Sequence, residues 1–228
     1  MQLTTYSDAK FKIENEFDIQ DENAIDDDEI MGYFNSAINE ADSHIKQLFE
    51  DYFLTNDYVP LVAGTSDYDM PTNIYANKFR IVYLKKDAEK YEVKRIKLSK
   101  IPLKEDEDDY EYNIENNTGA GGTRFVIYPA AKETSSTILR RWYYRTASRM
   151  ADDTSVIDIP EFIDFVYAHV RVSVAIKLGH PKLPIYNDKL TEKRAEMMST
   201  LKTMVPDGNT EIEADGSFYE DFDSDIFE

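Results

Sequence analysis

Cysteine is absent from this chain of 228 residues, and glycine and proline are scarce, with eight of each. Without cysteine there is no disulfide framework, no thiolate nucleophile and no cysteine-based zinc site. Positively charged residues are also few relative to acidic ones. The chain has 26 lysine and arginine residues and 45 acidic residues, which gives a formal net charge of −19. A protein that wraps nucleic acid by neutralising phosphates needs a basic surface, so this composition argues against that class.

Long apolar runs are missing as well. The N-terminus lacks the basic and then apolar pattern of a signal peptide, so we expect no Sec-type export. The most apolar stretch, residues 158–179, is too short to span a membrane and is interrupted by the charged residues Glu161, Asp164, Arg171 and Lys177. We therefore expect no contact with a membrane.

Residues 158–179 are predicted to form a helix that is apolar on nearly every side. Pro160 suits the first turn of a helix, and Gly179 is a stop signal. A soluble helix of this kind has to be buried on several faces, so we expect it to lie centrally among other helices or against neighbouring subunits. We assign five residues of this stretch to a partner interface: Phe162, Phe165, Val166, His169 and Val172.

Hydrophobic periodicity predicts an α+β fold, in which a helical bundle carries an inserted antiparallel β-sheet. Apolar residues recur at three- and four-residue steps over residues 30–52, which indicates a long helix opened by the acidic residues 26–29. Over residues 59–146 the period falls to near two, and no spacer is long enough for parallel crossovers, so we expect an antiparallel sheet of four to six strands. The helical period returns after residue 183 and predicts a C-terminal helical hairpin.

This pattern divides the chain into four parts. Residues 1–25 mix aromatic and charged residues with no sustained period, and we interpret them as an irregular N-terminal arm. Residues 26–58 and 147–205 form the helical domain, and residues 59–146 form the inserted β domain. Residues 206–228 form a C-terminal tail.

The tail is acidic and contains no lysine or arginine. A segment with this much like charge cannot form its own core, so we expect it to be disordered or bound elsewhere. The aromatic residues among the acids favour binding, and we add four of them to the predicted partner interface: Phe218, Tyr219, Phe222 and Phe227.

Charge is uneven over the rest of the chain. Residues 78–149 carry 16 lysine and arginine residues against 11 acidic ones, so a mildly basic middle is flanked by acidic ends. This uneven charge is compatible with subunits that stack by complementary charge. It is equally compatible with a charge pattern that serves only solubility.

No motif for catalysis, cofactor binding or metal binding has a usable context. The glycine-rich residues 119–123 lack the spacing of a P-loop and precede a strand, which indicates a hairpin loop between two strands. The alternating acids at residues 221, 223 and 225 lack the turn glycine and the bidentate acid of a calcium loop. His169 has no second histidine or acid four residues on, which favours a core or interface histidine over a ligand or base. We expect a protein that is not an enzyme and uses no cofactor or metal.

The strand predicted at residues 137–146 leaves two interpretations open. Together with Arg149, it interleaves arginines with aromatic residues, the residue types that contact phosphates and stack bases in single-strand binding: Arg140, Arg141, Trp142, Tyr143, Tyr144 and Arg145. The other interpretation is an amphipathic strand whose aromatics are core residues and whose arginines pair with acids. The net charge favours the second.

Six short motifs occur in an order that resembles a known family. They lie, in chain order, at residues 34–41, 68–71, 79–82, 125–129, 139–144 and 152–162. The first begins Phe34-Asn35-Ser36-Ala37, and the last ends Ile159-Pro160-Glu161-Phe162, at the start of the apolar helix. Together, over residues 26–204, they resemble the head-to-tail adaptor (connector or ring) proteins of tailed bacteriophages.

The resemblance implies a structural virion protein, made in the host cytoplasm and located in the neck of the particle. Such an adaptor forms a ring, typically a dodecamer, beneath the portal protein, extends the DNA channel and gives the tail or a further ring a docking surface. The implied partners are copies of the chain, the portal protein, and tail or further ring proteins, while DNA passes through without sequence-specific binding.

The alternative is a small acidic, non-enzymatic binding protein that acts as a monomer, such as a DNA-mimic inhibitor. A monomer of this kind has no reason to expose the helix at residues 158–179, whereas a ring subunit has.

Overall fold

The structure, a computed structural model, describes residues 3–19, 24–86, 89–97, 101, 109–117, 122–132 and 138–204 of the chain. Within these residues a pair of α-helices is followed by eight β-strands and then by a second pair of α-helices. The α+β class predicted from the periodicity is therefore confirmed.

The helices lie at both ends of the described chain. They are α1 Tyr6–Phe17, α2 Asp27–Leu48, α3 Ile163–Lys177 and α4 Leu183–Met204. Two short 3-10 helices, Glu50–Phe53 and Pro160–Phe162, precede the first strand and α3.

Helix α2 begins where the acidic cluster predicts it. A carboxylate oxygen of Asp26 accepts a hydrogen bond from the backbone N–H of Glu29 at 2.7 Å, which caps the helix, and acidic residues fill its first turn. The predicted apolar stripe is buried on one face: Ile30, Phe34, Ala37, Ile38, Ala41 and Ile45. The helix ends at Leu48, before the end of the predicted stripe, because residues 50–53 tighten into the 3-10 helix.

Helix α1 corrects the prediction that residues 1–25 form an irregular arm. Tyr6, Ala9 and Ile13 recur at helical spacing and have no exposed surface. The ring of Tyr6 meets that of Phe34 edge to face, with centroids 5.8 Å apart. A stripe this short gives only a weak periodic signal among charged residues. Contact with α2 and α3 therefore decides that the segment forms a helix.

Eight strands lie between the helix pairs: β1 Leu54–Pro60, β2 Asp67–Asp69, β3 Ile74–Lys86, β4 Glu89–Glu92, β5 Lys94–Arg95, β6 Glu111–Asn117, β7 Gly122–Tyr128 and β8 Ile138–Arg145. They form two four-stranded sheets with the orders β1-β8-β3-β4 and β2-β7-β6-β5. Strand β1 begins at Leu54, inside the segment 26–58 that was assigned to the helical domain. The antiparallel pairing of β6 with β7 confirms the predicted hairpin.

The prediction of a single antiparallel sheet is wrong. The chain crosses between the sheets at Val93, so β4 pairs with β3 and β5 pairs with β6. Val93 is buried between the two pairings, and its N–H donates to the carbonyl of Val82 at 2.8 Å. The β5–β6 pair is parallel. An alternating pattern reports which face of a strand is buried but not which strand lies beside it.

Buried side chains form two separate cores. One lies among the four helices. The other lies between the facing sides of the two sheets, where Val82, Leu84 and Leu139 of the first sheet meet Phe125 and Ile127 of the second. Each strand of the first sheet therefore turns one face inward and one face outward.

The helix directions follow from ion pairs. Lys177 at the end of α3 pairs with Glu29 at the start of α2 at 2.9 Å, so these helices run antiparallel. Helix α3 stops at Gly179, whose φ of 59° favours glycine, and α4 turns back alongside α2, where Arg194 donates to Glu40 at 2.9 Å. The turn between α3 and α4 therefore lies far from the sheets, and α4 ends on the side where the chain enters β1.

Candidate assembly surfaces

Helix α3 is largely enclosed by its own chain. Phe162, Phe165 and Val166 are 3, 2 and 0% exposed, and Val172 is 8% exposed. The other three helices contact α3. Its apolar pattern is thus accounted for by the core of one protomer, and these four residues offer a partner almost no surface. Ile176, at the end of α3 and 61% exposed, points outward instead.

His169 links three helices through one carboxylate. Its Nε2 lies 3.2 Å from Glu40 of α2, which also accepts hydrogen bonds from Arg194 of α4 at 2.9 and 2.6 Å. Nε2 of His44 lies 3.7 Å from the same carboxylate. Burial lowers the pKa of the His169 imidazole; the neighbouring Glu40 opposes this effect and Arg194 reinforces it. His169 therefore lies in a packed junction of helices and not on an open contact surface.

The arginines of β8 are mostly taken up by pairing. The Arg141 side chain is 3% exposed, and its Nε donates to the carboxylate of Asp57 at 3.0 Å. Arg145 pairs with Asp158 at 2.5 Å. Two of the interleaved aromatic residues are buried as well: Tyr143 and Tyr144. These four residues of β8 therefore fit the amphipathic-strand interpretation, in which the aromatic residues are buried and the arginines pair with acids.

The outward face of the first sheet carries a groove of about 630 Å³, which we call the outer groove. The pairing register places Tyr58 of β1, Arg140 of β8 and Tyr83 of β3 in one cross-strand row. Trp142 of β8 and Ile81 of β3 form the next row. Side chains in such rows contact one another, so the outer groove presents a continuous aromatic and aliphatic surface.

Positive charge accompanies the aromatic rings of the outer groove. The guanidinium carbon of Arg140 lies 4.6 Å from the ring centre of Trp142 and 5.1 Å from that of Tyr58. Lys85 and Lys90 also line the groove, and none of its described lining residues is acidic. The sequence showed the alternation in β8, but only the strand register shows that these side chains meet those of β1 and β3.

A second outward apolar surface lies at the turn between α3 and α4. Ile176 and Ile185 are 61 and 59% exposed, and we call them the hairpin surface. The turn is fixed by ring contacts of Phe17 with His180 and Tyr186 at 5.5 and 5.3 Å. Helix α2 has 22 residues, which at about 1.5 Å each separate this surface from the sheets by roughly 33 Å.

The remaining predicted sites fall largely outside the described residues. These are the tail aromatics Phe218, Tyr219, Phe222 and Phe227, the tail acids and most of the glycine-rich loop. Among the described residues, no cluster of three or more histidine and acidic side chains is placed to hold a metal ion. The helices described here are all too short or too polar to cross a membrane.

Comparison with known proteins gives one match. A family model described as "SU10 adaptor protein" matches residues 4–201, which includes both sheets, the first three helices and all but the last three residues of α4. A comparison with curated proteins found no match. The matched range contains the six motifs and adds α1, which the sequence resemblance did not include. The chain therefore belongs to the SU10 adaptor protein family, a family of bacteriophage head-to-tail adaptors whose members are structural components of the virion.

Proposed function

We propose that this chain forms a ring, a dodecamer, beneath the portal protein at the capsid vertex, where it extends the DNA channel and attaches the tail or a further ring. The observation that carries the proposal is family membership over residues 4–201. The proposal places the protein in the neck of the virion, with copies of itself, the portal protein and tail or ring proteins as partners.

Two outward apolar surfaces support a ring. A closed head-to-tail assembly requires each subunit to offer two different, complementary surfaces. The outer groove is lined by aromatic residues, whereas the hairpin surface consists of two isoleucines, and the two lie on separate parts of the protomer. The four helices, which share one core, hold the two surfaces apart.

The net charge supports a channel through which DNA moves freely. At −19 the protein repels the phosphate backbone, so DNA in transit gains no binding energy from a wall of such subunits. Residues 206–228 contact the portal protein or an adjacent subunit in the assembled neck, through Phe218, Tyr219, Phe222 and Phe227.

One observation favours the alternative of a small acidic binding protein that acts alone. The apolar helix α3 was expected to be exposed in a ring subunit, and it is enclosed by its own chain. Two observations still favour the ring. The chain belongs to an adaptor family, and the protomer keeps exposed apolar side chains at Ile176 and Tyr58.

The experiment that tests the proposal is a mass measurement under native conditions. The full chain is measured alone and after mixing with the portal protein of the same virus. We expect a ring complex with a fixed number of chains per portal ring, visible as an added layer in electron micrographs. A chain that stays monomeric at every concentration and leaves the portal ring unchanged would refute the proposal.

A matched pair of variants assigns the hairpin surface. Ile176→Glu with Ile185→Glu places charge on the exposed apolar pair and is expected to prevent ring formation. Lys182→Glu with Lys189→Glu adds the same number of acids at exposed positions nearby and is expected to leave the ring intact. Ring formation by both pairs would exclude the hairpin surface as a contact.

A further inference from the structure

The outer groove is an apolar and cationic surface that no described segment of the chain covers. Tyr58 is 59% exposed, although aromatic side chains lie on both sides of β8 in this groove. Arg140, Lys85 and Lys90 supply positive charge around these rings. A ligand that fits this surface combines several aromatic or aliphatic side chains with negative charge.

We propose that the outer groove binds the C-terminal segment of this chain, residues 206–228. The segment carries nine acidic residues and no lysine or arginine, and its large apolar residues lie among the acids: Ile212, Phe218, Tyr219, Phe222, Ile226 and Phe227. Its negative charge therefore complements the cations of the outer groove, and its apolar side chains suit the aromatic surface between them.

A second acidic segment of the chain fits less well. Residues 102–108 contain four acidic residues but also a lysine, and they contain no aromatic residue. They could satisfy the charge of Arg140 and Lys85 but not the exposed rings of Tyr58 and Trp142. The aromatic residues distinguish the C-terminal segment as the occupant.

The position of α4 brings the segment to the correct side of the molecule. Helix α4 runs alongside α2 and ends at Met204 on the side where the chain enters β1, one of the strands that form the groove. The 24 residues that follow Met204 reach up to roughly 80 Å when extended. The segment is therefore long enough to lie across the groove of its own chain or of a neighbouring copy.

The chain contains a built-in reporter for this contact. Trp142 is its only tryptophan, and it lines the outer groove. Tryptophan emission and its quenching by acrylamide therefore measure how accessible the groove is, in the full-length protein and without a label. The measurement requires no ring, so its result is independent of the function proposed above.

The experiment compares the wild-type chain with a full-length variant in which Phe218, Tyr219, Phe222 and Phe227 are replaced by serine. We expect the variant to show red-shifted Trp142 emission and about a twofold larger quenching constant, because the covering side chains are lost. The variant is expected to stay folded, because both described cores lie outside the segment, and its melting temperature is expected to fall only slightly, because the contact of the segment with the folded groove is lost. Equal quenching of the two proteins would overturn the proposal.

Two further measurements sharpen the result. The double variant Lys85→Glu with Lys90→Glu reverses charge in the groove and is expected to raise the quenching of Trp142. The control, Lys182→Glu with Lys189→Glu, makes the same change on the hairpin and is expected to leave the quenching unchanged. Equal effects of the two double variants would overturn the role of charge. Binding within one chain is independent of dilution, and binding between copies weakens on dilution; either result places the segment in the groove. Protection of Trp142 by a thymidine oligonucleotide and not by the segment would overturn the proposal in favour of single-stranded nucleic acid.

Discussion

Neighbouring arginines on β8 have opposite surroundings. Arg140 lies on the outward face between Tyr58 and Trp142, whereas the side chain of Arg141 is 3% exposed and pairs with Asp57. A strand turns successive side chains to opposite faces, so residues that look alike in the sequence serve different purposes. The basic run of β8 is thus one core ion pair and one surface cation.

The Arg141–Asp57 pair is expected to stabilise the fold strongly. In Asp57→Asn the guanidinium of Arg141 stays buried without its counter-charge, and we expect a loss of about 3 kcal/mol in the free energy of unfolding. Urea denaturation measures it.

Asp69→Asn is the matched control for that change. Asp69 pairs with Arg124 on the surface, and its side chain is 88% exposed. We expect it to cost less than about 1 kcal/mol. Equal losses in the two variants would contradict the assignment of a buried pair to Arg141.

His169 is expected to make stability depend on pH. Burial lowers its pKa in the folded chain below the value in the unfolded chain, so the unfolded state binds the proton first. The contribution is present above the unfolded pKa and is lost as pH falls through that value towards the folded pKa. Glu40 of α2 and Arg194 of α4 act on the imidazole from the adjacent helices, and His44 of α2 lies against the same Glu40 carboxylate.

The measurement is the free energy of unfolding at pH 8 and at pH 5.5. We expect His169→Gln to lose less stability than the wild-type chain over this range, because its side chain takes up no proton. Identical losses in both proteins would show that His169 does not set the pH dependence.

At the scale of elements, α1 is the part that the sequence pattern concealed. Its buried side consists of Tyr6, Ala9 and Ile13, and apart from the half-buried Phe17 the remaining positions are polar or exposed, including Phe11 at 62%. The helix is held by its contacts with α2 and α3, because a helix of 12 residues is marginal by itself.

A pair of substitutions tests whether α1 belongs to the folded core. Ile13→Ala removes a fully buried side chain and is expected to lower the free energy of unfolding by about 3 kcal/mol. Phe11→Ala removes an exposed side chain from the same helix and is expected to change it by less than about 0.5 kcal/mol. Thermal denaturation of both variants measures the difference; a small effect of Ile13→Ala would favour a detachable arm.

At the scale of the whole molecule, charge decides how the protein meets DNA. The basic residues of the middle segment are partly consumed by ion pairs such as Arg141–Asp57 and Arg145–Asp158. The net charge of −19 then dominates the field outside the protein.

We therefore expect the full chain not to bind double-stranded DNA. A gel-shift titration at physiological salt is expected to show no complex, which corresponds to a dissociation constant above about 10⁻⁴ M. Lowering the salt is expected to change nothing, since the protein offers few phosphate contacts that release counter-ions. A retarded band that weakens with salt would contradict the proposed channel wall.

The sequence determined the parts of this protein that depend on local pattern. The stripe of α2, the stop at Gly179 and the β6–β7 hairpin follow from periodicity, capping and turn residues, and the order of motifs indicated the family. These features depend on residues close together in the chain, which is why one sequence suffices to predict them.

Only the tertiary structure decided which elements face one another. It enclosed Phe165 and Val166 within the protomer, divided the strands into two sheets at Val93, and brought Tyr58, Arg140 and Trp142 together in the outer groove. Such contacts join residues that are far apart in the chain, and an alternating or helical pattern shows that a face is buried without showing by what. The candidate assembly surfaces are therefore the part of this protein that could not be predicted from its sequence.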